Sequence, residues 1–189
     1  MARLNTQRLI IEAAVRVAAD HGISGASMDQ IAETAGVAKG SLYYNFSSKD
    51  AIFEAVVRDG FLRLASAIDE ARASSEPIAA PRAVAAATLE GLCSNLDLAK
   101  LLASEMFRVD RPWASTMELA RSAVVVRLRD VLRESHEVAG DVTAAEQITE
   151  ITGAAFFGAL AGACLDWQIF RSEQPLGAVL DQVLRAFRI

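Results

Sequence analysis

The amino-acid sequence predicts an all-α protein of about nine helices. Apolar residues recur at helical spacing along almost every segment of the 189-residue chain, and the alternation typical of β-strands is hard to find. Hydrophobic residues make up 52% of the chain and charged residues 23%, which provides enough apolar surface to bury a core between helices. We expect a three-helix N-terminal domain at residues 1–48 and a larger helical domain at residues 49–189.

The ends of the first two helices are marked by specific residues. Residues 5–21 place apolar side chains on one face, and Gly22 is expected to end this first helix. Ser27 is followed three residues later by Gln30, a pair whose side chains can satisfy each other's backbone N–H groups at a helix start. The second helix is therefore expected to begin there and to end near Thr34.

A short third helix and a long fourth helix come next. Gly36 supplies a tight turn before a helix over about residues 38–44, and the run Ser47-Ser48-Lys49-Asp50 carries capping residues for the helix that follows. The fourth helix keeps an apolar stripe until a linker at residues 73–77. Five further helices are predicted at about residues 82–94, 97–108, 113–135, 143–171 and 176–188.

Composition and charge argue against several classes of protein. The net charge is −5, yet residues 1–50 hold five basic and five acidic residues, so the acidity belongs to the rest of the chain. Any affinity for nucleic acid is then expected to be local. Because no apolar run approaches the roughly 20 residues that span a bilayer, and because Arg8 and Glu12 interrupt the start, we expect a cytoplasmic protein with no membrane partner.

The cysteines and histidines are isolated in the sequence. Cys93 and Cys164 have no second thiol or histidine at ligand spacing, and His21 and His136 stand alone. We therefore expect no metal site, no cofactor and no disulfide framework. Both cysteines are interpreted as small buried apolar residues.

The most specific segment is residues 27–46, SMDQIAETAGVAKGSLYYNF. Ala32 and Ala35 allow two short helices to approach closely before the turn at Gly36, and three apolar residues can lock one helix across the other: Ile31, Val37 and Leu42. The second of these helices exposes short, hydroxylated or cationic side chains, which suit a DNA major groove and its flanking phosphates: Lys39, Gly40, Ser41, Tyr43 and Tyr44.

The run AGVAKGSLYYNFSSKD at residues 35–50 resembles the DNA-binding signature of the TetR family of bacterial transcriptional regulators. The resemblance implies a homodimeric repressor, not an enzyme, that a small and mostly apolar effector releases from a palindromic DNA operator. It also implies that Ser27 holds a phosphate at the start of the second helix. Base edges and sugars would be contacted by Lys39, Gly40, Ser41 and Tyr43, and backbone phosphates by Tyr44 and Lys49.

Two positions depart from the commonest form of this signature. Ala38 stands where a serine often caps the recognition helix, and Asn45 stands where a histidine often precedes the phenylalanine. The lost cap would cost about 1 kcal/mol unless another group replaces it. These departures leave the operator sequence open. Arg3 and Arg8 either form an arm that reaches a groove or belong to a frayed end.

The eighth predicted helix is apolar on most of its circumference, which indicates burial against its own domain and against a partner. Gly158 and Gly162 allow close helix approach, either between subunits or within one. The resemblance favours a four-helix dimer interface from helices eight and nine of each subunit. Its expected residues are Gly158, Ala159, Gly162, Val179, Val183, Leu184 and Phe187.

The middle helices carry bulky side chains that either line an effector cavity, as the resemblance implies, or form ordinary core. The expected cavity residues are Phe61, Leu64, Glu105, Met106, Trp113, Met117, Phe156 and Phe157. A regulator without an effector remains an alternative. An enzyme is disfavoured because catalytic motifs are missing from the sequence, and a helical interaction module is disfavoured by the intact Lys39, Tyr43, Tyr44 and Lys49.

Overall fold

The computed structural model describes residues 2–94, 97–99 and 114–189, with only the backbone described at residues 2–4, 114, 117 and 120. These residues form helices and connecting turns without a strand, which confirms the all-α prediction. Residues 97–99 are also helical. The longer helices are α1 (Ala2–Gly25), α2 (Met28–Ala35), α3 (Lys39–Asn45), α4 (Lys49–Ala73), α5 (Ala80–Cys93), α6 (Ala114–Val138), α7 (Val142–Gln147), α8 (Glu150–Phe170) and α9 (Leu176–Phe187).

The predicted caps are present in the N-terminal part of the chain. Ser27 and Gln30 form the expected capping box at the start of α2. Ser48 accepts a hydrogen bond of 3.1 Å from the N–H of Ala51 in the first turn of α4. Gly22 was expected to end the first helix, but it only interrupts α1, with φ 69° and ψ 163°, a backbone conformation that favours glycine, and the helix continues to Gly25. Local capping chemistry therefore positions these helix ends.

The prediction of a single helix over residues 143–171 is wrong, because the structure divides this segment into α7 and α8. The backbones of Ile148 and Thr149 are extended, with φ −78° and −113°. The N–H of Thr149 donates to Oγ1 of Thr152 at 3.1 Å, which starts a new helix. Two adjacent β-branched residues also have a lowered helix propensity.

The chain divides into two compact units. Among the described residues, the first unit contains residues 2–60, 97–99 and 114–119, and the second contains 61–94 and 120–189. The sequence predicts a boundary after residue 48. The first unit continues to Gly60 because the first turns of α4 bury Ile52, Phe53 and Val56 almost completely.

In the first unit, α1, α2 and α3 pack on one another. Ile10 of α1, Ile31 of α2 and Leu42 of α3 are each fully buried. Burying a large aliphatic side chain stabilises a fold by roughly 1.5–3 kcal/mol. These three residues therefore hold the small helices together and determine which face of α3 points to solvent.

In the second unit, α8 packs against α5 and α9, and α9 packs against α5. Gly153 lets α8 approach α6 closely, since a Cβ at this position would lie 2.5 Å from the carbonyl oxygen of Val125. By length and composition alone α8 could cross a bilayer, contrary to the expectation that no apolar run approaches that length. One face of α8 is nevertheless buried inside the second unit through Phe156, Leu160 and Cys164.

Candidate nucleic-acid interface

The turn between α2 and α3 is built around Gly36. This residue has φ 67° and ψ 31°, a left-handed conformation that suits glycine at the end of a helix. Its N–H donates to the carbonyl of Glu33 at 3.1 Å, and the N–H of Val37 donates to the carbonyl of Ala32 at 3.0 Å. The turn thus satisfies the last carbonyls of α2 and redirects the chain into α3.

One face of α3 is buried and the opposite face is exposed. Leu42 anchors the helix in the core, whereas Lys39, Gly40, Tyr43 and Tyr44 are exposed. Tyr43 and Tyr44 expose 48% and 73% of their surface, so neither ring belongs to the core. The spacing of the four residues places them on one side of the helix. Ser41 is half-buried beside them.

Gly40 leaves open space on this exposed face. A Cβ built at this residue would meet no atom within 4 Å among the residues that the structure describes. Packing within the chain therefore does not require glycine there. A glycine that its own fold does not need, between exposed cationic and aromatic side chains, is suited to close approach by another molecule.

Ser27 is already occupied by its capping partner. Its hydroxyl donates to Oε1 of Gln30 at 2.8 Å and accepts from the N–H of Gln30 at 3.2 Å, and its own N–H donates to the same Oε1 at 3.0 Å. The structure therefore places Ser27 at the exposed start of α2, as expected. A phosphate at this position would have to compete with the Gln30 side chain.

Lys39 forms an ion pair that the sequence did not reveal. Its Nζ lies 2.7 Å from Oδ1 of Asp29 in the first turn of α2, and both side chains are mostly exposed. The hydrogen bond from the ammonium to the Asp29 carboxylate raises the pKa of Lys39 above its usual value. An acidic residue in a first turn is common because it complements the helix dipole, so the sequence alone gave no reason to pair it with Lys39.

Lys49 also has partners within the chain. Lys49 is half-buried, and its ammonium donates to the carbonyl of Ser24 at 3.1 Å and to the carbonyl of Ala26 at 2.9 Å. These contacts connect the start of α4 to the segment between α1 and α2, directly before the Ser27 cap. Lys49 therefore has a structural role in addition to the phosphate contact that the sequence predicts for it.

The two departures from the common signature have local consequences. Ala38 offers no side-chain cap to α3, and the N–H groups of Ser41 and Leu42 both donate to its carbonyl instead. The amide nitrogen of Asn45 donates to the carbonyl of Ser41 at 2.8 Å. Its Oδ1 is buried without a hydrogen-bond partner among the described residues, which costs about 1–3 kcal/mol. Asn45 thus acts inside α3.

The predicted dimer residues lie on α8 and α9 of the second unit. Gly158 and Gly162 are exposed, and a Cβ at either would meet no described atom within 4 Å, so close packing within the chain does not explain them. Ala159 is half-buried on α8. The remaining four residues are on α9: Val179, Val183 and Leu184 are mostly buried in their own chain, and the Phe187 ring meets the Phe156 ring edge-on at 4.9 Å.

The predicted effector residues are only partly described. Glu105, Met106 and Trp113 lie outside the described residues, as does the side chain of Met117. Phe61, Leu64, Phe156 and Phe157 are all buried in the second unit. Phe61 of α4 and Phe157 of α8 have ring centroids 6.3 Å apart, whereas Phe156 faces α9. The two adjacent phenylalanines of α8 therefore serve different contacts.

The sequence predicts that the two cysteines are isolated from each other, and the structure shows that this prediction is wrong. Cys93 at the end of α5 and Cys164 in α8 are 71 residues apart in sequence, yet their sulfur atoms lie 2.6 Å apart. Both are free thiols; Cys164 is buried and Cys93 is half-buried. No sequence motif identifies this pair, because packing of α5 on α8 brings the two residues together.

Comparison with known proteins relates the N-terminal unit to a family. Residues 10–56 match the family model described as bacterial regulatory proteins, tetR family. The HTH-type transcriptional repressor AcnR of Corynebacterium diphtheriae is 28% identical over 123 residues, 64% of this chain and 62% of the relative. The HTH-type transcriptional regulator SrpR of Pseudomonas putida is 42% identical over 52 residues, 28% of this chain and 24% of the relative. The matches therefore span less than two thirds of these relatives.

Solved structures share the fold over almost the whole chain. The fatty acid degradation regulator FadR from Bacillus halodurans has a TM-score of 0.82 at 20% identity, covering 95% of this chain and 93% of its own. The transcriptional regulator FadR from Bacillus subtilis, solved in complex with stearoyl-CoA, has a TM-score of 0.76 at 20% identity, covering 94% and 95%. Because both structures are only 20% identical in sequence, the similarity shows a shared fold and nothing more.

Proposed function

Because this chain belongs to the TetR family of bacterial regulatory proteins, we propose that it is a sequence-specific DNA-binding transcriptional regulator. It acts as a repressor that a small, mostly apolar effector releases from a palindromic operator. The observation that carries this proposal is the exposed face of α3, where Lys39, Gly40, Tyr43 and Tyr44 stand on a helix anchored from behind by Leu42.

The proposed DNA contacts follow from the chemistry of this face. Gly40 allows the backbone of α3 to approach a base pair closely, and Ser41 and Tyr43 offer hydroxyl groups to base edges or sugars. Tyr44 and Lys49 are proposed to bind backbone phosphates, as is Ser27 once Gln30 gives way. Lys39 is proposed to exchange its Asp29 partner for DNA, because both side chains of that pair are mostly exposed and such a pair holds weakly.

The proposed dimer uses the exposed face of α8 together with α9. Ile151 and Ile169 on α8 expose 80% and 59% of their surface, and the small exposed residues Gly158 and Gly162 lie between them. Small residues let two helices approach closely, and such an apolar face is costly to leave in water. A two-fold dimer would present two recognition helices to half-sites about 34–36 Å, or a multiple, apart.

The proposed effector site is apolar and lies near Phe61, Leu64 and Phe157. Those side chains are buried, and two of them form an aromatic pair. Long-chain acyl-CoA, of which only the acyl chain matches this apolar site, is the first probe we would test, since the Bacillus subtilis structure of this fold was solved with stearoyl-CoA. Coupling between effector and operator is reciprocal, so operator DNA must weaken effector binding by the same factor, typically about 5–150-fold. We place the protein in the cytoplasm and assign it no enzymatic activity.

The decisive experiment selects bound sequences from a random DNA pool with the full-length protein. We expect enrichment of an inverted repeat, and we expect Tyr43→Ala to reduce that enrichment. Ile78→Ala is the matched control, because Ile78 is 67% exposed and lies in the linker after α4. Selection without any enriched sequence, or equal enrichment by the Tyr43 variant, would contradict the proposal.

A further inference from the structure

A pair of reduced cysteines in the second unit is placed for oxidation. Cys93 is the last residue of α5, and Cys164 lies in the middle of α8. Their sulfur atoms are 2.6 Å apart, compared with about 2.04 Å in a disulfide bond. The chain contains two cysteines in all, so no other thiol of the same chain competes for either partner.

A second contact holds the two helices in this arrangement. Gln168 lies one turn after Cys164 on α8, and its Nε2 donates to the carbonyl of Cys93 at 3.0 Å. This hydrogen bond fixes the end of α5 beside α8 at the position of the thiols. The two sulfur atoms therefore meet through the packing of the helices.

The two thiols differ in access and in acidity. Cys164 is 1% exposed, whereas Cys93 is half-buried and is the sulfur that a solute can reach. The hydrogen bond from the Cys93 thiol to Cys164 raises the pKa of Cys93, and burial raises it further. The same hydrogen bond lowers the pKa of Cys164. Access and acidity therefore favour different sulfur atoms: Cys93 is the one that a peroxide can reach first, and Cys164 forms a thiolate more readily, which suits it to the second attack, on an oxidised Cys93.

We propose that Cys93 and Cys164 form a reversible intramolecular disulfide when the protein meets a small peroxide. The Cys93 sulfur attacks one oxygen of hydrogen peroxide, which forms a sulfenic acid and releases one water. Cys164 then attacks the Cys93 sulfur and displaces the sulfenic hydroxyl, which leaves as a second water with the Cys164 proton. Two electrons and two protons pass from the thiols to the peroxide. A dithiol reductant reverses the change.

The disulfide would join α5 covalently to α8 and close a long loop between them. Closing such a loop restricts the unfolded chain, so oxidation is expected to raise the melting temperature by several degrees and at most by roughly 15 °C. This inference goes beyond the proposed function and does not depend on DNA binding. Oxidation would stiffen the second unit whether or not the first unit reads an operator.

The test uses the full-length protein, reduced and then exposed to hydrogen peroxide. Intact mass, free-thiol titration and peptide mapping are measured before and after oxidation. We expect both thiols to disappear, the mass to fall by two hydrogens, and one peptide pair to be linked through Cys93 and Cys164. The melting temperature should rise and should return on reduction. Surviving thiols, oxygen added separately to each cysteine, or a link between two chains would each overturn the proposal.

Two serine variants test the proposed order of reaction. Cys164→Ser should accumulate a sulfenic acid at Cys93 that dimedone traps, since the second thiol is missing. Cys93→Ser is the matched control and should give little trapping, because Cys164 is buried. Equal trapping in both variants would contradict the order. If either variant fails to fold, the wild-type comparison of oxidised and reduced protein still decides whether the disulfide forms.

Discussion

Replacing Lys49 by alanine separates two roles of one side chain. The ammonium donates to the carbonyls of Ser24 and Ala26 at 3.1 and 2.9 Å. Hydrogen bonds from a charged donor contribute about 1.5–3 kcal/mol each, but water can replace the lysine at the exposed Ser24 end. We therefore expect Lys49→Ala to lower the free energy of unfolding by about 1–2 kcal/mol, or about 2–8 °C in melting temperature.

The same variant is expected to change the salt dependence of DNA binding. Each lost phosphate contact flattens the plot of log affinity against log salt by about 0.9 unit for each half-site. Urea unfolding measures the first effect, and fluorescence anisotropy with operator DNA at several salt concentrations measures the second. Lys49→Arg keeps the charge and several donors, so it serves as the control and should preserve most of both properties.

The two readouts can fail independently. A destabilised variant with an unchanged salt slope would limit Lys49 to holding the segment before Ser27, and would refute its phosphate contact. A flattened slope without any loss of stability would refute the structural role that the two carbonyl contacts indicate. If neither property changes, our reasoning about this residue is wrong.

Three further predictions address the recognition face and the helix packing. Gly40→Ala should keep the fold and add up to about 1 kcal/mol of stability, because alanine has the higher helix propensity. The same variant should lower operator affinity in a gel-shift assay, and an unchanged affinity would show that Gly40 is not part of the interface. Asp29→Asn should free Lys39, tighten DNA binding several-fold and steepen its salt slope, and an unchanged slope would show that the ion pair does not compete with DNA. Gly153→Ala should lower stability by about 1–3 kcal/mol because its methyl group meets a carbonyl of α6, whereas Gly158→Ala should spare the fold and weaken the dimer in sedimentation experiments. Equal stability of these two glycine variants would contradict the packing argument.

Much of the fold could be predicted because its signals are local. The capping box of Ser27 and Gln30 and the cap at Ser48 lie where the sequence predicts them, whereas Gly22 only interrupts α1, which continues to Gly25. The sequence did not predict the division between α7 and α8, because Thr149 is compatible both with the interior of one long helix and with the start of a new helix. The choice between these two readings depends on a hydrogen bond to Thr152, three residues away.

The candidate interface could be predicted in position but not in its contacts. Exposure of Tyr43 and Tyr44 follows from the short length of α3, and the structure agrees. The partners of Lys39 and Lys49 did not follow, because they lie 10 to 25 residues away across turns. Their distances depend on how α1, α2 and the start of α4 meet.

By itself, the sequence determined the helical class, most helix ends and the exposed side of the segment proposed to bind DNA, because helical periodicity and capping act within a few residues of each position. Only the tertiary structure decided which side chains meet across the chain. It paired Lys39 with Asp29 and brought Cys93 to Cys164, which is 71 residues away in the sequence. These contacts form because the helices pack through their buried faces in one specific arrangement. Residues that are distant in the sequence and meet in this way leave no local pattern in a single sequence.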